Sequence, residues 1–447
     1  MRDAAKGSGE SQSVKQRAWS IIRVLFACGV SALILGVVFV ALLALTLTTT
    51  NDARVIAHLD EAAQREVLST SSYPRSPFGH GGHRYDMYTD CVAFGMNLGN
   101  GDDDLLRRIA AAPTAGREGG DGPCEDLTSA AHAGTVHADH DYLRFWHGYQ
   151  AYVRPLLSVM PLEAFRRLTA MLFFGALIFF GLRLNRALGP WAWAIMLAPW
   201  FLFSDFLTAP MVVTHALSLM CAFATAAAVP LILERVPDAR RMLLPLFVFA
   251  AGAVYNFLNF LINPPLAPAL IAFLYIAANL KKDEKQTRAS VLYAFGLAFL
   301  WFSGFAAAWI EKWLFAAAVL GPDALTAEIA RTVEKYEATR ARLQVNFLGA
   351  SRRNVEYGPV AFGFIVASIA AAAALWGWTV RKYGALRINL VNVVALMTPL
   401  AIIVFWVEAN RAHSAEHIGF VSRSFLLFAT IPLLSALKIW RDARAAR

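Results

Sequence analysis

The chain contains a series of apolar runs, each close to the length that crosses a lipid bilayer, and this feature limits its fold more than any other. A helix needs about 20 apolar residues to cross a hydrocarbon layer of about 30 Å. Of the 447 residues, 57% are hydrophobic and only 16% are charged, which does not describe a soluble core of that size. We therefore predict an all-α polytopic membrane protein with about ten transmembrane helices. The predicted spans cover residues 20–48, 168–181, 191–206, 211–233, 242–261, 262–280, 291–310, 360–380, 390–407 and 425–439.

Basic residues predict the orientation of these spans, because short cytoplasmic loops collect Lys and Arg. With the N-terminus inside, every predicted inner loop is basic, as at Arg183 and Arg186 or at Lys281 and Lys282. The pattern predicts cytoplasmic tails at residues 1–19 and 441–447. It also explains the net charge of +9 without a nucleic-acid partner.

The orientation divides the chain into alternating membrane and outer segments. The predicted order is a first transmembrane helix (20–48), an extracytoplasmic loop (49–164), transmembrane helices 2–7 (165–310), an extracytoplasmic amphipathic segment (311–359), and transmembrane helices 8–10 (360–440) with an outer loop (409–424). The first outer loop holds half of the 32 acidic residues and seven of the ten histidines. Because titratable side chains concentrate where chemistry is done, we expect the active site there.

Two of the four cysteines lie in this loop. Cys28 and Cys221 fall inside predicted spans, whereas Cys91 and Cys124 lie outside the membrane. An exterior compartment permits disulfides, and closing a loop of this length contributes roughly 3 to 4 kcal/mol on the chain-entropy model. We predict a Cys91–Cys124 bridge, the alternative being two unpaired thiols.

Asp86 and Asp90 are the catalytic candidates, in the run from Tyr85 to Cys91. At helical spacing they share one face, where repulsion or partial burial raises the pKa of one carboxyl group and leaves a general base for an acceptor hydroxyl. The alternative is that one of them caps a helix that starts near Val92.

A second run, from Tyr142 to Leu156, mixes aromatic and cationic residues just before the second span. Its substrate-binding candidates are Trp146, His147, Tyr149 and Arg154. Aromatic rings suit the apolar faces of sugars and guanidinium suits phosphate. The same composition is typical of an aromatic belt at the membrane interface, which is the alternative.

The last outer loop is dense in hydrogen-bond donors. His413, His417 and Arg423 are candidates to surround an anionic head group, and a cation entering a span needs an acid, a lipid phosphate or water. The alternative for Arg423 is snorkelling to the interface.

Asparagines also precede the paired prolines Pro264 and Pro265. Asn256 and Asn259 are further substrate-binding candidates, because a re-entrant turn or discontinuous helix at membrane depth needs polar partners. Asp205 and His215, which flank Pro210, are candidates to face the same cavity.

Metal ligation is the weaker interpretation of the remaining polar groups. A solvated turn explains Asp102 to Asp104, with a divalent cation as the alternative. The spacing of His132, His137, Asp139 and His140 matches no established zinc pattern. The charged run between Glu328 and Arg342 predicts an amphipathic helix over the outer face.

Several of these motifs resemble the GT-C glycosyltransferases, multispanning enzymes of bacterial surface-polysaccharide clusters. The resemblance rests on Thr89-Asp90, on residues 146–149 through 154–157, on residues 257–261 before the prolines, and on residues 413–423. It implies a helical bundle in the bacterial inner membrane whose first outer loop bears a catalytic aspartate. It also implies a polyprenyl-phosphate sugar donor and a glycan or protein acceptor. The family tends to have aspartate near the position of Asn256. This chain has asparagine there, which argues against a second acting carboxylate at that position.

The expected reaction is a direct displacement at the anomeric carbon. Asp86 or Asp90 takes the acceptor proton, and Arg154, His417 and Arg423 hold the departing phosphate. A transporter or flippase of lipid-linked sugars, which would carry ionisable residues at mid-membrane and repeated spans, and a non-catalytic assembly subunit are the alternatives.

Overall fold

The structure is a computed structural model, and it describes most of the chain. The described residues are 2–74, 86–99, 104–115, 122–134, 138–204, 206–236, 242–259, 261–280, 283–356, 359–384 and 390–445. Within them the fold is nearly all helical. Helix α1 is Arg2–Thr49, and the first outer loop contains α2 (Asp52–Gln64), α3 (Met87–Gly95), α4 (Leu105–Ala111), α5 (Pro123–His132) and α6 (Gln150–Leu157). Two short strands, β1 (Thr114–Ala115) and β2 (Ala138–His140), pair antiparallel.

The remaining helices build the bundle and its other outer segments. They are α7 (Leu162–Leu188), α8 (Ala192–Phe203), α9 (Val213–Arg235), α10 (Leu243–Leu258), α11 (Leu266–Asn279), α12 (Glu284–Leu320), α13 (Pro322–Leu343), α14 (Gly349–Glu356), α15 (Pro359–Tyr383), α16 (Leu390–Met397), α17 (Leu400–Ala409), α18 (Arg411–Glu416), α19 (Ile418–Val421) and α20 (Leu427–Ala445). Short 3₁₀ turns at Ala209–Met211 and Ser422–Leu426 precede α9 and α20.

The apolar helices make this a polytopic membrane protein. Seven segments of the described chain are long and apolar enough to cross a bilayer: Ile21–Thr49, Leu162–Leu188, Val213–Arg235, Glu284–Leu320, Ala361–Tyr383, Leu390–Ala409 and Ile418–Ala445. Helices α8, α10 and α11 lie at three further predicted spans but are shorter. The apolar runs there extend past the helix ends into backbone that is not α-helical, at residues 204, 206–212, 259 and 261–265.

Helices α10 and α12 cross closely at a pair of glycines. A Cβ atom on Gly252 would collide with the carbonyl oxygen of Trp301, and one on Gly304 with that of Phe249. Small residues at such a crossing let two backbones approach, which is how membrane helices gain packing energy. Helix α12 continues to Leu320, past the predicted end of the seventh span at residue 310.

The first outer loop is a folded lobe with its own apolar cluster. The cluster joins α2, α3, α5 and α6 to the start of α7, with Leu59, Phe94, Leu127 and Phe165 all buried. A disulfide joins the predicted pair, Cys91 in α3 and Cys124 in α5, with Cα atoms 5.0 Å apart. The lobe is therefore a fixed platform.

Long-range hydrogen bonds bring the predicted outer segments together at one end of the bundle, called here the loop end. The Val213 N–H, at the start of α9, donates to Asp90 Oδ1 over 2.8 Å. The Gly148 N–H donates to the Phe257 carbonyl at the end of α10 over 2.7 Å. His413 Nε2 lies 3.2 Å from the carbonyl oxygen of Leu261, in the α10–α11 connection.

Candidate active site

A cavity of about 330 Å³ lies where these outer segments meet. Its size falls at the low end of the range of small-molecule sites. Its walls come from the lobe, the α10–α11 connection, α13 and the segment before α20. The lining residues are Tyr73, Asp86, Tyr88, Thr89, Val92, Tyr142, Arg144, Phe145, Leu261, Ile262, Lys335, Tyr336, His413, Glu416, His417 and Phe420.

Asp86 is the carboxylate of the first predicted pair that borders this cavity. It caps α3: Oδ1 accepts the Thr89 N–H over 3.2 Å, and Oδ2 accepts the Thr89 hydroxyl over 2.6 Å. Burial by itself raises the pKa of Asp86, but the interaction with His215 and the hydrogen bonds from Thr89 outweigh it, so the pKa is lowered. Asp86 is therefore ionised at neutral pH.

His215 and Arg423 lie behind Asp86, away from the cavity. His215 Nε2 is 3.2 Å from Asp86 Oδ2. Two guanidinium nitrogens of Arg423 each lie 3.3 Å from His215 Nδ1. Both side chains are almost wholly buried, at 2% and 1% exposure. Arg423, a predicted head-group ligand, contacts His215 and does not line the cavity, and Asp205 lies outside the described residues.

Asp90 does not border the cavity. It is fully buried, accepts the Val213 N–H and lies 3.4 Å from a guanidinium nitrogen of Arg166. Burial raises the pKa of Asp90 to about 7, against the opposing charge of Arg166 and the hydrogen bond from Val213. The two aspartates therefore differ in role: Asp90 attaches α3 to α9, and Asp86 caps the helix and also faces the cavity.

His413 and His417 line the cavity as a pair, with ring centroids 4.5 Å apart. Burial lowers the pKa of His413 to about 3, and burial also lowers the pKa of His417. Both rings are neutral at pH 7. They can hydrogen-bond a ligand, but they do not supply the positive charge expected for gripping a phosphate.

Two cations that were not among the candidates do line the cavity. Arg144 extends from the lobe and lies 3.5 Å from Glu328 of α13, and Lys335 stands on α13 itself. Both residues lie in runs that the sequence marks as charged or aromatic. Arg144 lies between Tyr142 and Trp146, and Lys335 lies in the charged run between Glu328 and Arg342. Local spacing could not show that these two segments meet.

Trp146, His147 and Tyr149 are buried beside the cavity but do not line it. The indole N–H of Trp146 donates to the Ala308 carbonyl of α12 over 2.6 Å. His147 has Nε2 2.9 Å from the Tyr142 carbonyl oxygen and Nδ1 3.0 Å from the Tyr149 hydroxyl. Burial lowers the pKa of His147 to about 3. Trp146 therefore joins the lobe to the bundle, and His147 links Tyr142 and Tyr149 within the lobe.

Arg154 is also directed away from the cavity. It is 1% exposed and forms an ion pair with Asp52 at the start of α2, and it donates to the Met96 carbonyl over 3.3 Å. Burial lowers the pKa of Arg154 to about 10, although Asp52 opposes the change. Its charge is used inside the lobe and is not offered to a ligand.

The α10–α11 connection has the irregular backbone expected of a discontinuous helix. The Asn259 side chain closes it, since Oδ1 accepts the Ile262 N–H over 2.7 Å and Nδ2 donates to the Ile262 carbonyl over 3.2 Å. Leu261 has φ +62° and Asn263 has φ +63°, which costs about 1 to 3 kcal/mol each. This turn holds Leu261 and Ile262 at the cavity wall. Asn256 is buried and does not line the cavity.

The candidate metal ligands fall partly outside the residues that the structure describes. Asp102, Asp103 and His137 lie outside the described residues, as do the side chains of Asp139 and His140. Within the described part of the chain, no group of three His, Cys, Asp or Glu side chains is arranged to hold a metal ion.

Comparison with known proteins gives the chain no relative. No protein-family model matches it. No curated protein and no solved structure matches it significantly. Its function must therefore be argued from the cavity itself.

Proposed function

We propose that the chain is a glycosyltransferase of the bacterial inner membrane. It would transfer a sugar from a polyprenyl-phosphate donor to a glycan or protein acceptor outside the cytoplasm. One observation carries the proposal: the ionised Asp86 carboxylate shares a cavity with Arg144 and Lys335 at the loop end of a membrane bundle. That combination offers a base for a hydroxyl and positive charge for a leaving phosphate.

The proposal includes ten membrane crossings, and the ends of α7 and α9 support a crossing by α8. The C-terminal halves of α7 and α9 meet at the far end of the bundle, where Arg183 pairs with Glu234 over 2.7 Å. Helix α9 begins at the loop end, where Val213 bonds Asp90. The chain between α7 and α9 must therefore return to the loop end, and α8 is the helix that lies in that stretch.

The same reasoning supports crossings by α10 and α11. Helix α10 ends at the loop end, where Phe257 bonds Gly148. Helix α11 ends beside the start of α12, since Asn279 O is 3.5 Å from Ser290 Oγ. Helix α12 returns to the loop end, where Lys312 donates to the Ala110 carbonyl over 2.6 Å. With basic loops at the far end, this order supports cytoplasmic termini.

In the proposed reaction an acceptor hydroxyl oxygen attacks the anomeric carbon of the donor sugar. A carbon–oxygen bond to the acceptor forms as the bond from the anomeric carbon to the phosphate oxygen breaks. The hydroxyl proton passes to Asp86, and the bonding electron pair leaves with the polyprenyl phosphate. Asp86 suits this role because its lowered pKa keeps it unprotonated at neutral pH.

Arg144 and Lys335 would stabilise the charge that builds on the departing phosphate. Cations that are fixed before the reaction stabilise the transition state, in which negative charge builds on the phosphate, more than the ground state. The Arg144 guanidinium group pairs with Glu328, and the backbone carbonyl of Arg144 accepts the indole N–H of Trp309 over 2.8 Å. This assignment replaces Arg154, His417 and Arg423 in the phosphate role.

Aromatic rings would receive the sugar. Tyr73 and Tyr88 stack with ring centroids 6.1 Å apart, and Phe145 and Phe420 form other parts of the wall. Such rings pack against the C–H faces of a sugar, while His413 and His417 provide neutral hydrogen-bonding groups. A cavity of about 330 Å³ fits a small sugar unit with its phosphate, with the lipid chain left in the membrane.

The test is transfer by the purified protein in nanodiscs, with a panel of radiolabelled polyprenyl-phosphate sugars. We expect one donor to support transfer by the wild type, and Asp86→Asn to reduce kcat by at least about 100-fold, as loss of a general base does. Asp283→Asn is the matched control, because Asp283 also caps a helix, α12, and accepts the Lys285 N–H over 3.1 Å, but lies at the far end. Equal activity of the Asp86→Asn and Asp283→Asn variants would overturn the proposal.

A further inference from the structure

We propose that His215 is a positioning residue that holds Asp86 as an oriented base, with its own tautomer fixed by Arg423. This inference rests on the proposed function and deepens it. Its geometric basis is a continuous series of close polar contacts from Arg423 through the imidazole ring to the carboxylate, each 3.2 or 3.3 Å long.

The tautomer of His215 follows from which of the groups in contact with it can donate a hydrogen bond. A guanidinium group can only donate hydrogen bonds. Two of its nitrogens lie 3.3 Å from His215 Nδ1, so Nδ1 is the acceptor and carries no proton. The ring proton is then on Nε2, which faces Asp86 Oδ2 at 3.2 Å. His215 is therefore a neutral ring that connects the buried guanidinium group of Arg423 to the Asp86 carboxylate.

The contacts of Asp86 also give its two carboxylate oxygens separate roles. Oδ2 accepts the Thr89 hydroxyl and lies 3.2 Å from His215 Nε2. Oδ1 accepts the Thr89 N–H, and among the described residues it has no second donor. A carboxylate oxygen has room for two hydrogen bonds, so Oδ1 is the oxygen that receives the acceptor proton. His215 and Thr89 together fix the direction in which Oδ1 points.

The same contacts connect three distant parts of the chain. Asp86 caps α3 in the lobe, His215 lies in the first turn of α9, and Arg423 lies in the turn before α20. His215 also packs edge-on against Phe420 of the cavity wall, with ring centroids 5.4 Å apart. The base is therefore oriented by the bundle and does not depend on the loop alone.

Other titratable groups surround Asp86 and must be considered in any pH measurement. The tyrosines and the acidic groups disfavour its charge, and the cations favour it. These groups are Tyr73, Tyr88, Asp90, Arg144, Lys335, Glu416, His417 and Arg423. All of these residues remain in every His215 variant, so a difference between His215→Phe and His215→Gln in the titration of Asp86 reports on the contacts that His215 makes.

The first experiment measures the pH dependence of transfer in two variants. His215→Gln can keep both contacts, because its amide N–H₂ can donate to Asp86 and its oxygen can accept from Arg423. His215→Phe keeps the ring and loses both. We expect the acid limb of kcat/KM to move to higher pH by about one unit or more in His215→Phe, with kcat reduced and KM for the donor little changed. The His215→Gln variant should have the same acid limb in its kcat/KM profile as the wild type.

The second experiment does not require transfer activity. Infrared difference spectra at a series of pH values report the carboxylic C=O band of protonated Asp86, which the Asp86→Asn variant assigns. We expect the Asp86 midpoint to rise in His215→Phe and to stay at the wild-type value in His215→Gln. If the midpoint moves while no donor supports transfer, the inference about His215 stands and the proposed function fails. A midpoint that does not move in folded His215→Phe protein would overturn the inference.

Discussion

At the residue scale, burial decides which titratable side chains of the loop end carry charge. Asp86 keeps its charge because His215 lies against it and Thr89 donates to it, whereas burial keeps His413 uncharged at neutral pH. The candidate pair Asp86 and Asp90 was visible in the sequence as two carboxylates four residues apart. The difference between them was not visible, because it arises from Val213 and His215, more than a hundred residues away.

Buried histidines also predict how stability depends on pH. Burial lowers the pKa of His147 from its usual 6.5 to about 3, so the unfolded chain binds a proton there between those pH values and the native protein does not. Stability is therefore fully present above pH 6.5 and falls as the pH decreases towards 3, by no more than about 1.4 kcal/mol per pH unit for this group. We expect His147→Gln to weaken the fall in Tm between pH 7 and pH 4, measured by intrinsic fluorescence in detergent. A His147→Gln slope equal to that of the wild type would contradict this role of burial.

At the element scale, the glycine pair between α10 and α12 sets how closely the two central helices approach. Helix α10 carries the irregular connection that reaches the cavity, and α12 carries Ala308, to which Trp146 donates. Most of the helices could be predicted from the apolar runs, because length and hydropathy are local properties. The approach of Gly252 and Gly304 could not, because it depends on two helices separated by a third.

The glycine crossing gives a prediction about packing. Gly304→Leu places a side chain where α10 backbone lies, and overpacking of this kind costs on the order of 2 kcal/mol or more. We expect a clear loss of Tm and of folded yield on size-exclusion chromatography. Gly296→Leu is the matched control on the same helix, since a Cβ atom there meets nothing within 4 Å. Equal stability of the two variants would contradict the close crossing.

At the scale of the whole molecule, the predicted outer segments come together and form one cavity. Charge patterning predicts that these segments face outwards, since that signal is summed along loops. It could not predict that Arg144 and Lys335 face the same space while Arg154 is enclosed in the lobe with Asp52. Those placements depend on how the lobe folds around its disulfide and apolar cluster.

The proposed topology predicts which positions are reached from outside the cell. In a chain whose two free cysteines, Cys28 and Cys221, are replaced by alanine, single cysteines at Asp104 and Asp323 should react with a membrane-impermeant maleimide in intact cells. Single cysteines at Trp191 and Glu284 should react only after permeabilisation. Labelling of Trp191→Cys in intact cells would contradict a crossing by α8.

The most direct measurement compares the two neighbouring aspartates in the transfer reaction, with rates given per mole of folded protein. Asp86 borders the cavity and Asp90 is enclosed between α3 and α9, where Asp90→Asn affects packing. We predict that Asp86→Asn abolishes transfer at normal folded yield, and that Asp90→Asn lowers the yield while its folded fraction stays active. Full activity of Asp86→Asn, or loss of transfer in well-folded Asp90→Asn with Asp86 intact, would contradict the assignment of Asp86 as the base.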